Sequence, residues 1–258
     1  MILPPRLLAA PALGAVMALG QAPLGWWWAT LLAGMGLFTL LPDTPRAAMR
    51  WLWLAGAGYF GVALLWIIQP FFINPVAHGW MAPFALVLMA GGMALFWAGA
   101  GLVARFGPAM VAVALLALEL LRGWVFTGFP WAMLGHVLID TPLVQLASLG
   151  GAGLLSGLVL GVMVLPAQAK MRGRAFGGIA ALALLAGGWG WGLARLPDTP
   201  APSGPVVRLV QPNAPQEQKW DQDRALFFFE RMLAQTASLA PAQPDLVVWP
   251  ETSVPFLL

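Results

Sequence analysis

Hydrophobic residues run in long blocks along the first 195 positions, and short polar or proline-containing segments separate these blocks. Seven apolar stretches result, at about 7–20, 24–41, 48–68, 80–104, 108–122, 144–169 and 175–194. A helix needs about 20 apolar residues to cross the hydrocarbon core of a bilayer, with a range of about 17–25. The pattern therefore predicts about seven transmembrane helices, of which the first and fifth are short and the sixth is long enough to tilt.

The composition supports a membrane protein. Apolar residues make up 60% of the 258 residues and charged residues only 9%, whereas soluble domains have about 25% charged residues. The chain has fourteen Trp beside a single Tyr, and Trp favours the interface between headgroups and tails. A net charge of +3 without a basic patch indicates no nucleic-acid partner. The absence of cysteine and the presence of only two distant histidines predict neither a metal site nor a cofactor.

The basic residues of the short loops predict the orientation, because cytoplasmic loops carry an excess of Lys and Arg. With a cytoplasmic N-terminus, only Arg122 and Arg195 lie outside. We therefore expect a bacterial inner-membrane protein whose residues after 195 lie in the periplasm. The bases that then lie inside are Arg6, Arg46, Arg50, Arg105, Lys170, Arg172 and Arg174.

The N-terminus allows a second interpretation. Arg6, the apolar run after it and the small residues near Gly20 also resemble a cleavable signal peptide. Cleavage would leave six spans and an N-terminus that is already outside. The intact mass of the purified protein distinguishes the two interpretations.

The composition changes after residue 196, which we take as the end of a transmembrane domain (1–196). Residues 197–205 form a Pro-rich linker, and residues 206–258 have the charge balance of a soluble domain. Within 206–258 the pattern predicts a strand at 206–210, a helix at 221–239 with Asp221 as N-cap, and a fully buried strand at 246–249. This order indicates an α/β sheet. About 53 residues cannot complete such a layer, so we expect the chain to stop inside a domain.

Glu251 is the first candidate for chemistry. It follows Trp249 and Pro250 at the carboxyl end of the second strand, the edge where ligands bind to open α/β sheets. Apolar neighbours would partly desolvate this carboxylate, which suits a general base. A solvated loop acid is the alternative that spacing alone leaves open.

Glu119 and Arg122 are the second candidates. They are three residues apart, so on a helix they share one face and can pair, and charges inside a membrane often mark functional sites. Arg122 therefore contacts a lipid headgroup or, alternatively, the pair anchors the loop that follows it. That loop, Gly123 to Trp131, is aromatic and suits either interface anchoring or the lining of a lipid entry route.

Three blocks of the sequence resemble one family. They resemble, in the same order, motifs of the bacterial apolipoprotein N-acyltransferases, a membrane family within the nitrilase (carbon–nitrogen hydrolase) superfamily. The resemblance extends over essentially the whole chain but only over the N-terminal half of the family's length. The blocks are 119–131 (ELLRGWVFTGFPW), 209–221 (LVQPNAPQEQKWD) and 248–255 (VWPETSVP).

The resemblance implies a fold and an activity. The fold would be a polytopic α-helical membrane bundle followed by the start of a nitrilase-like α/β (αββα) domain. The family transfers an acyl chain from a phospholipid to the lipidated N-terminal cysteine of an apolipoprotein, through a thioester on a catalytic cysteine. Glu251 matches the general base. Trp220 matches a residue expected to shape the lipid pocket, and Trp249 and Arg122 are the other residues expected to bind substrate.

The chain departs from the family's pattern in one respect. The family's catalytic lysine and cysteine follow the glutamate, and neither is present here, so we expect these 258 residues alone to be inactive. Three alternatives stay open on the residues: a membrane-tethered nitrilase-type amidase, a channel or transporter, and a non-catalytic binder of lipid or lipoprotein.

Overall fold

A computed structural model describes residues 5–168, 174–196, 204–215, 218, 222–239 and 243–251. The chain forms two compact units. The first comprises Met1–Trp66 and Phe84–Pro197, and the second comprises Ile67–Pro83 and Asp198–Leu258. The predicted linker at 197–205 lies outside the described residues except for 204 and 205, and the predicted domain limits stay a prediction.

Helices dominate the described chain, and each of the seven apolar stretches contains one. Proline stands at the first position of α3, α4 and α6, where its missing N–H costs no hydrogen bond. In chain order the helices are α1 (Pro5–Ala18), α2 (Trp27–Thr39), α3 (Pro45–Ala63), α4 (Pro75–His78), α5 (Ala82–Ala100), α6 (Pro108–Arg122), α7 (Ala147–Val164), α8 (Arg174–Arg195) and α9 (Gln222–Ala237).

Three helical segments of the described chain are long and apolar enough to cross a membrane: Pro75–Phe106, Pro142–Ala167 and Ala175–Arg195. A fourth results if Pro45–Ala63 and Leu65–Phe72, which bend by 48° at their junction, form one span. The apolar helices Leu8–Ala18 and Trp27–Thr39 are shorter. The prediction of a helical membrane protein is thereby confirmed. By length and apolar composition, however, three or four segments of the described chain qualify as spans, not the predicted seven.

Small residues bring α6 and α7 together. Gly153, Gly157 and Gly161 form a ridge of α7, which the spacing predicts to be a packing surface. A Cβ atom on Gly153 would lie 3.0 Å from Leu120 of α6, and one on Gly157 would lie 3.5 Å from Leu116. Gly153 and Gly157 therefore pack against leucines of α6, near the end of that helix where the two charged candidates lie, whereas Gly161 faces Leu184 of α8.

The second unit contains a strand–helix–strand segment. Strand β1 (Val207–Leu209) pairs in parallel with β2 (Leu246–Val248), and α9 connects them. Phe228 and Met232 of α9 are buried, as the helical spacing requires. Arg208 of β1 donates hydrogen bonds to the carbonyl oxygens at the end of α9, which ties the helix to the strand pair.

One predicted feature of this segment is wrong, and two predicted residues lie outside the described part of the chain. The second strand is not fully buried, because Leu246 and Val248 are exposed. The reason is that the described sheet has only two strands, so no further layer covers this face. The predicted N-cap Asp221 and the predicted substrate residue Trp220 lie outside the described residues.

Candidate functional site

The C-terminal end of α6 carries a buried ion pair. Glu119 and Arg122 lie one helical turn apart, and only 3% and 2% of their surfaces are exposed. The Nη2 atom of Arg122 lies 3.9 Å from Oε1 of Glu119. A buried charge is costly unless it is paired and hydrogen-bonded, so the other contacts of these two side chains decide what the pair does.

Both charged groups bind the backbone of the loop that follows α6. Nη1 of Arg122 donates to the carbonyl oxygens of Phe129 and Trp131, at 2.6 and 2.7 Å. Oε1 of Glu119 accepts a hydrogen bond from the backbone N–H of Leu134 at 2.7 Å. The spacing correctly predicts the pairing, and these contacts support the anchoring role over direct contact with a lipid headgroup.

Three further side chains bind the same stretch of backbone from other parts of the first unit. The Tyr59 hydroxyl of α3 donates to the Ala132 carbonyl at 3.1 Å. The Gln21 amide donates to the Met133 carbonyl at 2.9 Å and to the Tyr59 hydroxyl at 2.6 Å. Ser156 of α7 accepts from the N–H of Gly135 at 2.9 Å. We call Gln21, Tyr59, Glu119, Arg122 and Ser156 the loop clamp.

The loop clamp meets a physical requirement of non-helical backbone near a membrane. Its side chains bind a backbone group of every residue from 129 to 135 except Pro130. Without water, each unpaired backbone group would cost several kcal/mol. Sequence reasoning missed Gln21, Tyr59 and Ser156, although Tyr59 is the chain's single tyrosine.

Aromatic rings surround the guanidinium of Arg122. Its Cζ atom lies 5.2 Å from the centre of the Phe60 ring and 6.0 Å from that of Phe129. Phe60 and Tyr59 in turn pack on Trp97 of α5, with ring centres 5.9 and 5.1 Å apart. Rigid neighbours hold the guanidinium in place, and the ring faces contribute cation–π attraction.

The tip of the loop exposes aromatic side chains on an unusual backbone. Trp124 is 84% exposed and Phe126 is 94% exposed. Phe126 and Thr127 have φ angles of 54° and 75°, a region that costs non-glycine residues energy and often marks functional segments. Gly128, with φ of 90°, has no room for a side chain, since a Cβ atom would collide with the Gly123 carbonyl oxygen. The clamp therefore holds a strained, aromatic tip.

His136 lies on the short 3-10 helix Leu134–Leu138, which follows this loop, and is half-buried. Burial lowers the pKa of His136 from its ordinary value, and the positive charge of Arg122 lowers the same pKa further. Both effects favour the neutral form of the imidazole, which carries no positive charge beside the loop clamp.

The second unit places Glu251 and Trp249 directly after β2. Trp249 packs edge to face on Phe229 of α9, with ring centres 5.8 Å apart, and its indole N–H donates to the Thr236 hydroxyl at 2.9 Å. Glu251 lies two residues further along the chain and is exposed, so the predicted partial desolvation of its carboxylate is wrong for the described structure. The described sheet has only two strands, and no further layer encloses this segment. Trp249 thus fixes the segment that leaves β2 against α9, a contact that the sequence alone does not indicate.

These features define a membrane protein of apolar helices with a clamped aromatic loop and a strand–helix–strand segment. The family described as "Apolipoprotein N-acyltransferase N-terminal domain" matches residues 13–165, a range that includes all five residues of the loop clamp.

Curated relatives agree with this match. The chain is 39% identical to the apolipoprotein N-acyltransferase of Caulobacter vibrioides, over 94% of this chain and 48% of the relative. It is 35% identical to that of Allorhizobium ampelinum, over 98% of this chain and 52% of the relative. It is 37% identical to that of Sinorhizobium fredii, over 83% and 43%. The chain belongs to the apolipoprotein N-acyltransferase family, and it spans about half the length of the curated relatives that it matches.

Proposed function

We propose that the complete protein transfers an acyl chain from a membrane phospholipid to the α-amino group of the lipidated N-terminal cysteine of an apolipoprotein. Membership of the family supports this activity. The structural observation that carries the proposal is the parallel pair β1–β2, which places Glu251 just beyond the carboxyl end of β2. Ligands bind at this end of the strands in open α/β sheets.

The proposed reaction has two steps. In the first, a cysteine thiolate attacks an ester carbonyl of the phospholipid; the C–O bond breaks, a thioester forms and the lysophospholipid leaves with a proton. In the second, the amine of the apolipoprotein attacks the thioester; the C–S bond breaks, an amide forms and the thiol is regenerated. Glu251 is the proposed general base for both proton transfers. The thiol and a lysine that stabilises the oxyanion are proposed for the complete protein, because these 258 residues contain no cysteine.

The number of membrane spans and the type of the second domain are part of the same proposal. All seven apolar helices of the first unit cross the bilayer, with α1, α2 and α6 as short spans. The β1–α9–β2 segment is the start of a nitrilase-like αββα domain, which further strands and helices complete. The strand order and the parallel pairing support this assignment, since a crossover helix between parallel strands is the unit from which α/β sheets are built.

Three residues have proposed substrate roles. Trp220 helps to shape the lipid pocket, and Trp249 lines that pocket from the segment that its own packing on α9 holds in place. Arg122 supports the substrate site indirectly, as the anchor of the loop and without touching the lipid, because its guanidinium is buried and two backbone carbonyls occupy Nη1.

The direct test is reconstitution of the complete protein in vesicles of phosphatidylethanolamine and phosphatidylglycerol with a diacylglyceryl-cysteine peptide. We expect a new amide on the peptide, detected by mass, with one lysophospholipid released per amide. Peptide that binds the protein but gains no acyl chain would instead support the non-catalytic binder. Hydrolysis of a small amide without acylation would support the amidase.

We also propose that the protein lies in the inner membrane with a cytoplasmic N-terminus and a periplasmic second domain, on the basis of the Lys and Arg distribution. These 258 residues contain no cysteine, so a single cysteine introduced into this chain permits a direct test. Ser238→Cys, just after α9, should react with a membrane-impermeant maleimide in intact spheroplasts, whereas Asp43→Cys, before α3, should react only after lysis. Both positions are exposed. If Asp43→Cys alone were labelled in intact spheroplasts, the orientation would be the opposite of the one proposed.

A further inference from the structure

An apolar cleft lies between α7 and α8. Its volume is about 550 Å³, within the range of about 300–1,000 Å³ that small-molecule sites occupy. Both helices belong to segments that are able to cross a membrane. In a bilayer, such a cleft faces hydrocarbon rather than water. Its walls include Leu154, Gly157 and Leu158 of α7 and Leu184, Gly187 and Trp191 of α8.

A cation marks one end of this cleft. Arg195, the last residue of α8, is exposed, and its Cζ atom lies 4.8 Å from the centre of the Trp191 ring. Trp191 itself lines the cleft. A tryptophan with an arginine on its face suits the boundary between hydrocarbon and headgroups, where arginine contacts phosphate. The apolar walls and the terminal charge together match a molecule with a hydrocarbon tail and an anionic head.

We propose that the α7–α8 cleft binds an acyl chain of an anionic phospholipid, whose phosphate contacts Arg195. The apolar walls of both helices contact the acyl chain. The positive charge of Arg195 complements the negative phosphate, whereas a purely apolar helix would leave Arg195 without an anionic partner. This site is additional to the proposed acyl transfer, because lipid binding between α7 and α8 does not depend on a reaction at Glu251.

The glycines of α8 supply a matched pair of variants. A Cβ atom on Gly187 would meet no atom within 4 Å, and Gly187 lines the cleft. Gly187→Leu therefore fills the cleft without a backbone clash. A Cβ atom on Gly190 also meets no atom within 4 Å, but Gly190 does not line the cleft. Both substitutions raise helix propensity equally, so Gly190→Leu controls for the added side chain.

The experiment measures the binding of palmitoyl-oleoyl-phosphatidylglycerol to the purified detergent-solubilised protein by native mass spectrometry. We expect Gly187→Leu to weaken the tightest lipid-binding step about tenfold, which corresponds to the loss of a few methylene contacts, and Gly190→Leu to leave it unchanged. Arg195→Gln should lower the preference for phosphatidylglycerol over phosphatidylcholine about fivefold. Arg50→Gln, which removes an exposed arginine of α3, should preserve that preference.

Equal lipid affinity in Gly187→Leu and Gly190→Leu would overturn the proposal. A shift of Gly187→Leu from dimer to monomer with unchanged lipid binding would also overturn it, because the cleft would then be an interface between two copies of the chain. An unchanged lipid preference in Arg195→Gln would overturn the assignment of the phosphate to Arg195.

Discussion

Arg122→Met should destabilise the protein by about 3–5 kcal/mol, the usual effect of removing one partner from a buried ion pair. The substitution leaves the carboxylate of Glu119 buried without its cation. It also leaves the carbonyl oxygens of Phe129 and Trp131 without their donor, and each unpaired buried acceptor costs about 1–3 kcal/mol. Denaturant titration in mixed micelles, with tryptophan fluorescence as the signal, measures the free energy of unfolding.

Two further variants distinguish the loss of the loop clamp from the loss of any arginine. Arg105→Ala removes an exposed arginine that packs on Phe106, and its effect should stay within about 0.5 kcal/mol. The double variant Glu119→Gln/Arg122→Met should be more stable than Arg122→Met, because a neutral amide replaces the stranded carboxylate while still accepting from Leu134. Strict additivity of the two single substitutions would contradict the buried pair as the source of the effect.

The same variants separate anchoring from substrate contact. If Arg122 acts by holding the loop, Arg122→Lys in the complete protein should lower the free energy of unfolding. The KM for phospholipid should stay near that of the parent. A lysine offers a point charge without the planar fork that reaches both carbonyls. A strongly raised KM with unchanged stability would instead place the lipid headgroup against Arg122.

Local pattern predicts the helices of this protein well because each apolar block is long and bounded by turn residues. It fails where tertiary structure decides the outcome. The block 48–68 reads as one continuous span, but the chain bends by 48° between Ala63 and Leu65. Similarly, the burial of β2 depends on layers that the described segment does not contain.

The candidate site shows the same division between local and distant information. The three-residue spacing of Glu119 and Arg122 predicts their pairing, since a helix places both on one face. The partners of the pair are backbone groups of the loop, and the rest of the clamp comes from Gln21, Tyr59 and Ser156, up to 112 residues away along the chain. A polar residue isolated among apolar spans is the one sequence signal that points to them.

Glu251→Gln in the complete protein should lower the rate of thioester formation about 10²–10⁴-fold, the range that general-base catalysis typically contributes. The amide has nearly the shape of the carboxylate but cannot accept the thiol proton. The measurement is the mass of the enzyme after rapid mixing with phospholipid vesicles, before any apolipoprotein is added. Stability should change little, because Glu251 is exposed.

Glu230→Gln is the matched control, since it makes the same change at an exposed position of α9 within the same unit. It should form the thioester at the parent rate. If Glu251→Gln also forms the thioester at that rate, Glu251 is not the base that activates the thiol. A thioester that forms normally but persists after the apolipoprotein is added would confine Glu251 to the second step, where the attacking amine must lose its proton.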